Sequence, residues 1–161
     1  MILVTIGMND APYDRMFSMI DELAPSLGEE VVIQTGNIEF DAKNCRTVKF
    51  LVDTEMKELF DSADLIIAHA GIGTILNGLQ RNIPLVLVPR NVVMNADQDQ
   101  QDIIARKVES MGRGVRVTSL DELPQKIQEA KSLKFPPYSK DTGLCDGLSR
   151  ILEDIDNSLR K

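Results

Sequence analysis

Short apolar segments alternate with longer amphipathic segments along most of the chain. Each apolar segment spans four or five residues and is rich in Val and Ile, so both of its faces are apolar. This pattern predicts strands that are buried on both sides, as in a parallel sheet. The six predicted strands are Ile2–Ile6, Val31–Gln34, Thr47–Phe50, Leu65–Ala68, Leu85–Val88 and Gly114–Val117.

Between these strands, apolar residues recur every three or four positions, which predicts amphipathic helices. The first helix carries an apolar stripe from Met16 to Leu27 and stops at Gly28. The fourth is expected to turn four residues toward the core: Ile103, Ile104, Val108 and Met111. The second helix is expected to start at Asp53 or Thr54, the third at Gly73 and the fourth at about Ala96. A Ser119–Glu122 capping box is expected to start the fifth helix, and the last is expected to start at about residue 140.

Alternation of strands and helices predicts the fold class. It indicates an α/β, Rossmann-like, three-layer protein with a parallel sheet of about six strands and right-handed crossovers. We expect one domain over residues 1–161, with a C-terminal helix from about residue 140. Ligands of such sheets bind at the carboxyl ends of the strands, so the site is expected where the first and fourth strands meet.

Composition narrows the classes of function. A net charge of −7 argues against a nucleic-acid-binding protein, which needs a basic face. The two cysteines are far apart and there is one histidine, so no zinc site and no disulfide framework are expected. The start of the chain lacks the pattern of a signal peptide, and no apolar run is long enough to span a membrane. These features predict a cytoplasmic protein.

The loop after the fourth strand carries the strongest local signal. Its sequence, His69-Ala70-Gly71-Ile72-Gly73-Thr74, opens a helix with two glycines and a hydroxyl. Backbone N–H groups at such a helix start favour a phosphate. The only histidine, His69, is expected to contact the ligand or brace this loop.

Three other strand ends are candidates for the same crevice. Gly7 follows the first strand, but without the G-x-G-x-x-G pattern that a dinucleotide fold needs. Gln34 closes the second strand, and Arg90 follows the fifth with the charge to neutralise a phosphate. The amide-rich run that follows Arg90 suits a hydroxyl-rich ligand. No Walker loop and no G-x-S-x-G elbow are present, and no cofactor or metal is expected.

Several segments occur in a diagnostic order: Val4–Gly7 with Pro12–Arg15, Val32–Gly36, His69–Thr74, Pro84–Arg90 and the pair Gln100-Gln101. From Met1 to about Val117 this set resembles the UDP-sugar-binding C-terminal domain of the MurG-type family 28 glycosyltransferases. It is similar above all to free-standing members, such as subunits of the PssE type and the soluble subunit of the dolichol-linked N-acetylglucosaminyltransferase. The resemblance implies one half of a GT-B enzyme.

The resemblance also implies a function. The chain is expected to be the donor-binding catalytic subunit of a two-component glycosyltransferase that moves a sugar, N-acetylglucosamine by expectation, from a UDP-sugar to a lipid-linked or polysaccharide acceptor. A membrane-associated subunit would bind the acceptor, recruit this chain to the membrane and supply the general base. The chain alone is then expected to be inactive. Whether it also self-associates is left open.

Carried over residue by residue, the resemblance implies a donor site. The diphosphate is expected at Gly71, Ile72, Gly73 and Thr74, with His69 on the same side. The sugar hydroxyls are expected near Gln100 and Gln101, and the base over the loop around Arg90. Gly7, Met8, Gln34 and Asn77 complete the predicted site, with Asn77 at the ribose.

This sequence departs from the family pattern at several positions. Met8 replaces a threonine after the first glycine, and Asn77 replaces an acid that is expected to hold the ribose. In addition, Asn95-Ala96 replaces the usual Glu-His, and Gln100-Gln101 replaces the usual His-Gln. Two alternatives therefore stay open: a nucleotide-sugar-binding protein without transferase activity, and a nucleotide-sugar hydrolase or epimerase.

Overall fold

The computed structural model describes residues 1–8, 11–94 and 100–135. Within these residues, six parallel strands form one sheet in the order β3-β2-β1-β4-β5-β6. The strands are β1 (Ile2–Thr5), β2 (Val31–Gln34), β3 (Arg46–Val48), β4 (Leu65–Ala68), β5 (Leu85–Leu87) and β6 (Gly114–Arg116). This architecture confirms the predicted α/β class and the predicted number of strands.

Helices cover both faces of the sheet. They are α1 (Asp14–Leu27), α2 (Asp53–Ser62), α3 (Ile72–Gln80), α4 (Arg90–Met94), α5 (Gln100–Ser110) and α6 (Leu123–Lys131), with a 3-10 turn at Leu120–Glu122. Successive side chains of β1 point to opposite faces of the sheet and pack against the helices there. Val4 packs with Phe17 of α1 and Ile127 of α6 on one face, whereas Leu3 packs with Phe60 of α2 and Ile75 of α3 on the other.

The register of β1 fixes where the site lies. Thr5, the last residue of β1, is paired with Gln34 of β2 on one side and with Ala68 of β4 on the other. The chain order reverses between β1 and β4, so the loops that leave these strands diverge onto opposite faces and leave a crevice. The expected switch point is confirmed.

The predicted third strand is partly wrong. It was expected at Thr47–Phe50 as a buried strand, but β3 ends at Val48 and none of its residues is fully buried. The reason is its place at the edge of the sheet, where one side faces solvent. Phe50 consequently lies in the loop that follows, with 54% of its surface exposed.

Several helix starts also differ from expectation. The helix α2 is capped by Val52, whose backbone N–H donates to the carboxylate of Glu55, rather than by Asp53 or Thr54. The helix α3 begins at Ile72, so Gly73 lies inside its first turn. The expected start near Ala96 lies outside the described residues, and the described part of α5 is Gln100–Ser110.

At α5 and α6 the sequence pattern was mostly right. Ile104 and Val108 are buried as expected, but Ile103 is 42% exposed because it faces away from the sheet. Ser119, expected to start the next helix, instead caps the 3-10 turn Leu120–Glu122, where its hydroxyl accepts from the backbone N–H of Asp121, and α6 begins at Leu123. The predicted C-terminal helix lies outside the described residues. Among those described, no helix is both long and apolar enough to cross a membrane.

A buried carboxylate organises the polar crossover between β2 and β3. Asp21, on α1, accepts hydrogen bonds from the backbone N–H groups of Lys43, Asn44 and Cys45, at 2.8–3.0 Å. Burial raises the pKa of Asp21, but these hydrogen bonds lower it by more, so the net pKa is below its ordinary value. These three hydrogen bonds to Asp21, called the tether below, hold the loop that leads into the edge strand β3.

Candidate active site at the carboxyl end of the sheet

A pocket of about 320 Å³ opens at the switch point between β1 and β4. It lies between the loop after β1, the loop after β3 and the helices α2 and α3. The sequence-predicted residues that line it are Thr74, Gly73, Asn77, Gly7, Met8 and Gln34. The structure therefore brings together residues that are up to seventy positions apart along the chain.

The start of α3 forms one side of this pocket. Gly71 is the N-cap, and the N–H groups of Ile72, Gly73 and Thr74 belong to the first turn, where the helix itself offers no acceptor. A Cβ added to Gly73 would meet nothing within 4 Å. The backbone is thus open to a ligand at this turn, and the helix dipole favours a negative charge there.

His69 lies behind this helix start rather than in the pocket lining. A Cβ on Gly71 would fall 2.1 Å from its Nε2 atom, and a Cβ on Gly7 would fall 3.2 Å from its Cε1 atom. The imidazole therefore fills the space between the first and fourth loops, which explains why both positions are glycine. His69 thus packs against both loops, and bracing them stays one of the two roles predicted for it.

The charge state of His69 follows from this packing. Burial lowers its pKa, and a hydrogen bond to the backbone of Thr5 raises it by less, so the pKa lies below its ordinary value of 6.5. Its Nδ1 atom is buried and has no hydrogen-bond partner among the described residues. His69 is thus a neutral imidazole at pH 7.

Gly7 and Gln34 form the floor between the first two strands. Gly7 adopts a left-handed backbone with φ of 59°, which turns the loop sharply after β1. The Gln34 amide oxygen accepts from the Thr5 hydroxyl at 2.6 Å and from the Gly7 N–H at 3.1 Å. Met8 is 88% exposed at the lip of the pocket.

The opposite wall is apolar and was not predicted from the sequence. It consists of Phe50, Leu51, Met56 and Phe60, from the loop after β3 and from α2. The only sequence signal was an aromatic residue just before the start of α2, and Phe50 had been assigned to the strand. Asp53, exposed in the first turn of α2, adds a carboxylate to this wall.

Asn77 contacts the pocket, but its amide is already engaged. Its Nδ2 atom donates to the Gly73 carbonyl at 2.9 Å, and its Oδ1 atom accepts from Nη1 of Arg81 at 2.8 Å. Arg81 also pairs with Asp61 at 2.6 Å and lies over the ring of Phe60. This amide, at the position where the resemblance implies an acid, is therefore held by an arginine.

The remaining predicted residues lie away from the pocket lining. Arg90 begins α4, and its backbone N–H donates to the side chain of Gln101 at 2.9 Å. Gln100 is exposed at the start of α5. The amide-rich segment between them, residues 95–99, is outside the described residues. Across the described part of the chain, no cluster of His, Cys, Asp and Glu is suited to a metal ion.

Comparison with known proteins identifies the family. The model of the glycosyltransferase family 28 C-terminal domain matches residues 1–144. The chain belongs to this family.

Relatives of this family 28 chain include subunits. The chain is 29% identical over 115 residues to the UDP-N-acetylglucosamine transferase subunit ALG13 of Eremothecium gossypii, a match that covers 67% of this chain and 52% of that protein. It is 36% identical over 83 residues to the subunit of the same name from Mus musculus, which covers 48% of this chain and 7% of that protein. The family 28 chain thus spans about half or less of the length of these relatives.

A solved structure shows the same fold. The glycotransferase of kitacinnamycin superposes with a TM-score of 0.67 at 20% identity, covering 93% of this chain and 37% of that one. The family 28 chain is accordingly one half of a GT-B glycosyltransferase fold. The pocket lies at the carboxyl edge of that half, where the fold class predicts a ligand.

Proposed function

We propose that this chain is the donor-binding subunit of a two-component glycosyltransferase that uses a UDP-sugar. One observation carries the proposal: a single pocket combines an open, glycine-containing helix start with an apolar wall. A nucleoside diphosphate needs both features, because its phosphates are anionic and its base is flat and apolar on its faces.

The start of α3 supports binding of the diphosphate. The first-turn N–H groups of Gly73 and Thr74 border open space, and the Thr74 hydroxyl lines the pocket. Inverting sugar transfer also requires that the negative charge on the leaving diphosphate is stabilised. In this proposal His69 contributes as a neutral brace that sets the positions of Gly7 and Gly71.

The apolar wall supports binding of the base. Phe50 and Leu51 lie across the pocket from Gly73, and Met56 and Phe60 extend the apolar surface behind them. We therefore propose the base beside Phe50, rather than near Arg90, which does not line the pocket. The ribose would then lie over Asn77, between the base and the diphosphate.

The sugar and the chemistry are proposed from the family. Gln100 and Gln101 are proposed near the sugar hydroxyls, and the names of the ALG13 relatives support N-acetylglucosamine as the sugar. The names of those relatives call them subunits, which supports a second polypeptide. In this proposal that polypeptide is membrane-associated, binds the acceptor and provides the general base. Asp53 is the one pocket-lining carboxylate of the described residues.

Calorimetry against UDP, ADP, GDP and UDP-sugars tests donor binding. We expect UDP to bind more tightly than ADP and GDP. The Gly73→Val variant should weaken UDP binding at least about tenfold, because its side chain would occupy the space beside the first-turn N–H groups. The matched control is Gln80→Val, at the exposed far end of the same helix. Equal affinity for all three nucleotides, or an unchanged Gly73→Val variant, would rule the proposal out.

A second function, binding without transfer, is favoured by Asn77. Both ends of its amide are engaged within α3 and by Arg81, so the charged contact of the family is replaced. Product analysis separates the candidates. A transferase should form product only when its partner and acceptor are added, whereas a hydrolase would release the sugar from the UDP-sugar in water alone. A binding protein would do neither.

A further inference from the structure

The side chain of Gln34 is saturated with hydrogen bonds inside the protein. Its Oε1 atom accepts from the Thr5 hydroxyl at 2.6 Å and the Gly7 N–H at 3.1 Å. Its Nε2 atom donates to the carbonyls of Gly7 at 3.1 Å and Lys49 at 3.0 Å. An amide has two acceptor and two donor positions, so none is left for a ligand. Gln34 is also only 4% exposed.

These bonds connect the two walls of the pocket. Thr5 ends β1, and Gly7 lies in the loop that follows and leads to Met8 at one lip of the pocket. Lys49 follows β3 and immediately precedes Phe50 and Leu51 of the apolar wall. The strand pairing ends at Thr5 on β1 and at Val48 on β3, so these bonds lie past the ends of both strands. The amide bridges them beyond the last sheet pairing.

We propose that Gln34 is a positioning residue that sets the separation of the two pocket walls and does not itself bind the donor. The same bonds also commit the Gly7 N–H to Gln34 and Thr5. The Gly7 N–H is therefore not available to a phosphate, whereas the first-turn N–H groups of α3 have no acceptor within their helix. This inference rests on the proposed function wherever it concerns nucleotide affinity.

The first test uses the free protein, so that it does not depend on nucleotide binding. In Gln34→Met and in Thr5→Val, backbone NMR shifts of residues 6–8 and of residues 49–51 should change together, because one amide joins both segments. The matched control, Gln80→Met, should change neither. Shifts confined to residues 6–8 in both variants would overturn the inference, whether or not UDP binds.

The second test measures UDP affinity in Gln34→Glu as a function of pH. At pH 8 the introduced carboxylate cannot donate to the carbonyls of Gly7 and Lys49, so affinity should be about tenfold below that of the unmodified chain. Burial beside two carbonyls raises the pKa of such a carboxyl, and once protonated its single O–H donates to one of them. The ratio of the two affinities should therefore move toward one as the pH falls toward 5.

The outcomes of the second test separate the two hypotheses. If the unmodified chain does not bind UDP, the proposed function fails, and the NMR comparison alone decides the role of Gln34. If it binds UDP and Gln34→Glu binds equally well at pH 8, Gln34 does not position the walls. A deficit that stays constant with pH would indicate a general loss of structure and would equally overturn the positioning role. Gln80→Glu should match the unmodified chain throughout.

Discussion

Two neighbouring glycines at the start of α3 have opposite surroundings. Gly71 has the imidazole of His69 directly against the position that a Cβ would occupy, whereas Gly73 has open space there. Sequence alone treats them as equivalent members of one glycine motif. The structure separates a glycine required by packing from one that leaves room for a ligand.

This contrast predicts different effects of alanine on stability. Gly71→Ala should lower the free energy of unfolding by about 1–3 kcal/mol, because the new Cβ must displace the half-buried ring of His69. Gly73→Ala lies within a helix and meets no atom, so it should be neutral or raise stability by up to roughly 1 kcal/mol. Chemical denaturation of both variants checks the prediction. Equal effects at the two positions would contradict it.

His69 predicts a pH dependence of stability. Its folded pKa lies below its unfolded value near 6.5, so below that value the unfolded chain binds the proton more strongly. Stability should therefore fall as the pH drops through 6.5 toward the folded pKa, and should not depend on this group above pH 7.5 or so. His69 is the only histidine, which makes the signal assignable.

Denaturation curves between pH 5 and 8 measure this effect. The variant His69→Gln keeps a polar side chain of similar reach and cannot titrate, so it should lose the slope between pH 5 and 6.5 that the unmodified chain shows. It is also expected to be less stable at pH 7, since the ring packs against two loops. An identical slope in both proteins would show that another group is responsible.

At the scale of elements, the edge strand β3 depends on a tether more than on its own sequence. Its three residues are exposed or half-buried, and the crossover before it is polar. Asp21 of α1 holds that crossover through three backbone N–H groups. The loop after β3 carries the apolar wall of the pocket, so the tether also supports the site.

Removal of the tether should destabilise the chain. We expect Asp21→Ala to cost about 2–3 kcal/mol, because it leaves three N–H groups of a half-buried loop without their charged acceptor. The matched control is Asp41→Ala, an exposed carboxylate of the same crossover, which should change little. Because the folded pKa of Asp21 is lowered, its stabilising contribution is present above about pH 4 and is lost as the pH falls below it. Equal denaturation midpoints for the two variants would contradict this role.

The same contact predicts an unreactive thiol. Burial, with the adjacent Asp21 carboxylate, raises the pKa of Cys45 to about 12. At pH 8 the thiol should therefore react with iodoacetamide far more slowly than a free cysteine, because only the thiolate is nucleophilic. Peptide mapping by mass spectrometry follows this residue specifically. The Asp21→Ala variant should speed the reaction, and equal rates would argue against the proposed influence of Asp21.

At the scale of the whole molecule, ligand binding and stability are linked. If the pocket holds UDP in the folded chain alone, saturating nucleotide must stabilise it, by about 2.7 kcal/mol at a hundred times the dissociation constant. We expect UDP to raise the melting temperature, ADP to raise it less, and Gly73→Val to abolish most of the UDP effect. An unchanged melting temperature with millimolar UDP would contradict nucleotide binding by the chain alone.

The sequence by itself determined the elements and the edge of the sheet that carries the site. Strand and helix periodicity is local, so five of the six strands were placed to within one residue, and the glycines after β4 marked a helix start open to a ligand. The alternation of elements was enough to predict the parallel sheet, because right-handed crossovers leave few alternatives. The edge strand was the exception, since its burial depends on its neighbours.

Only the tertiary structure decided which residues share the pocket and which of them are free to bind. The nearness of Phe50 to Gly73 follows from strand order and register, which join segments that local patterns describe one at a time. The same holds for Gln34, which the sequence places as a ligand-facing strand end until its four hydrogen bonds to Thr5, Gly7 and Lys49 are known. A side chain's role depends on its unused hydrogen-bonding groups, and those are fixed only when the distant segments meet.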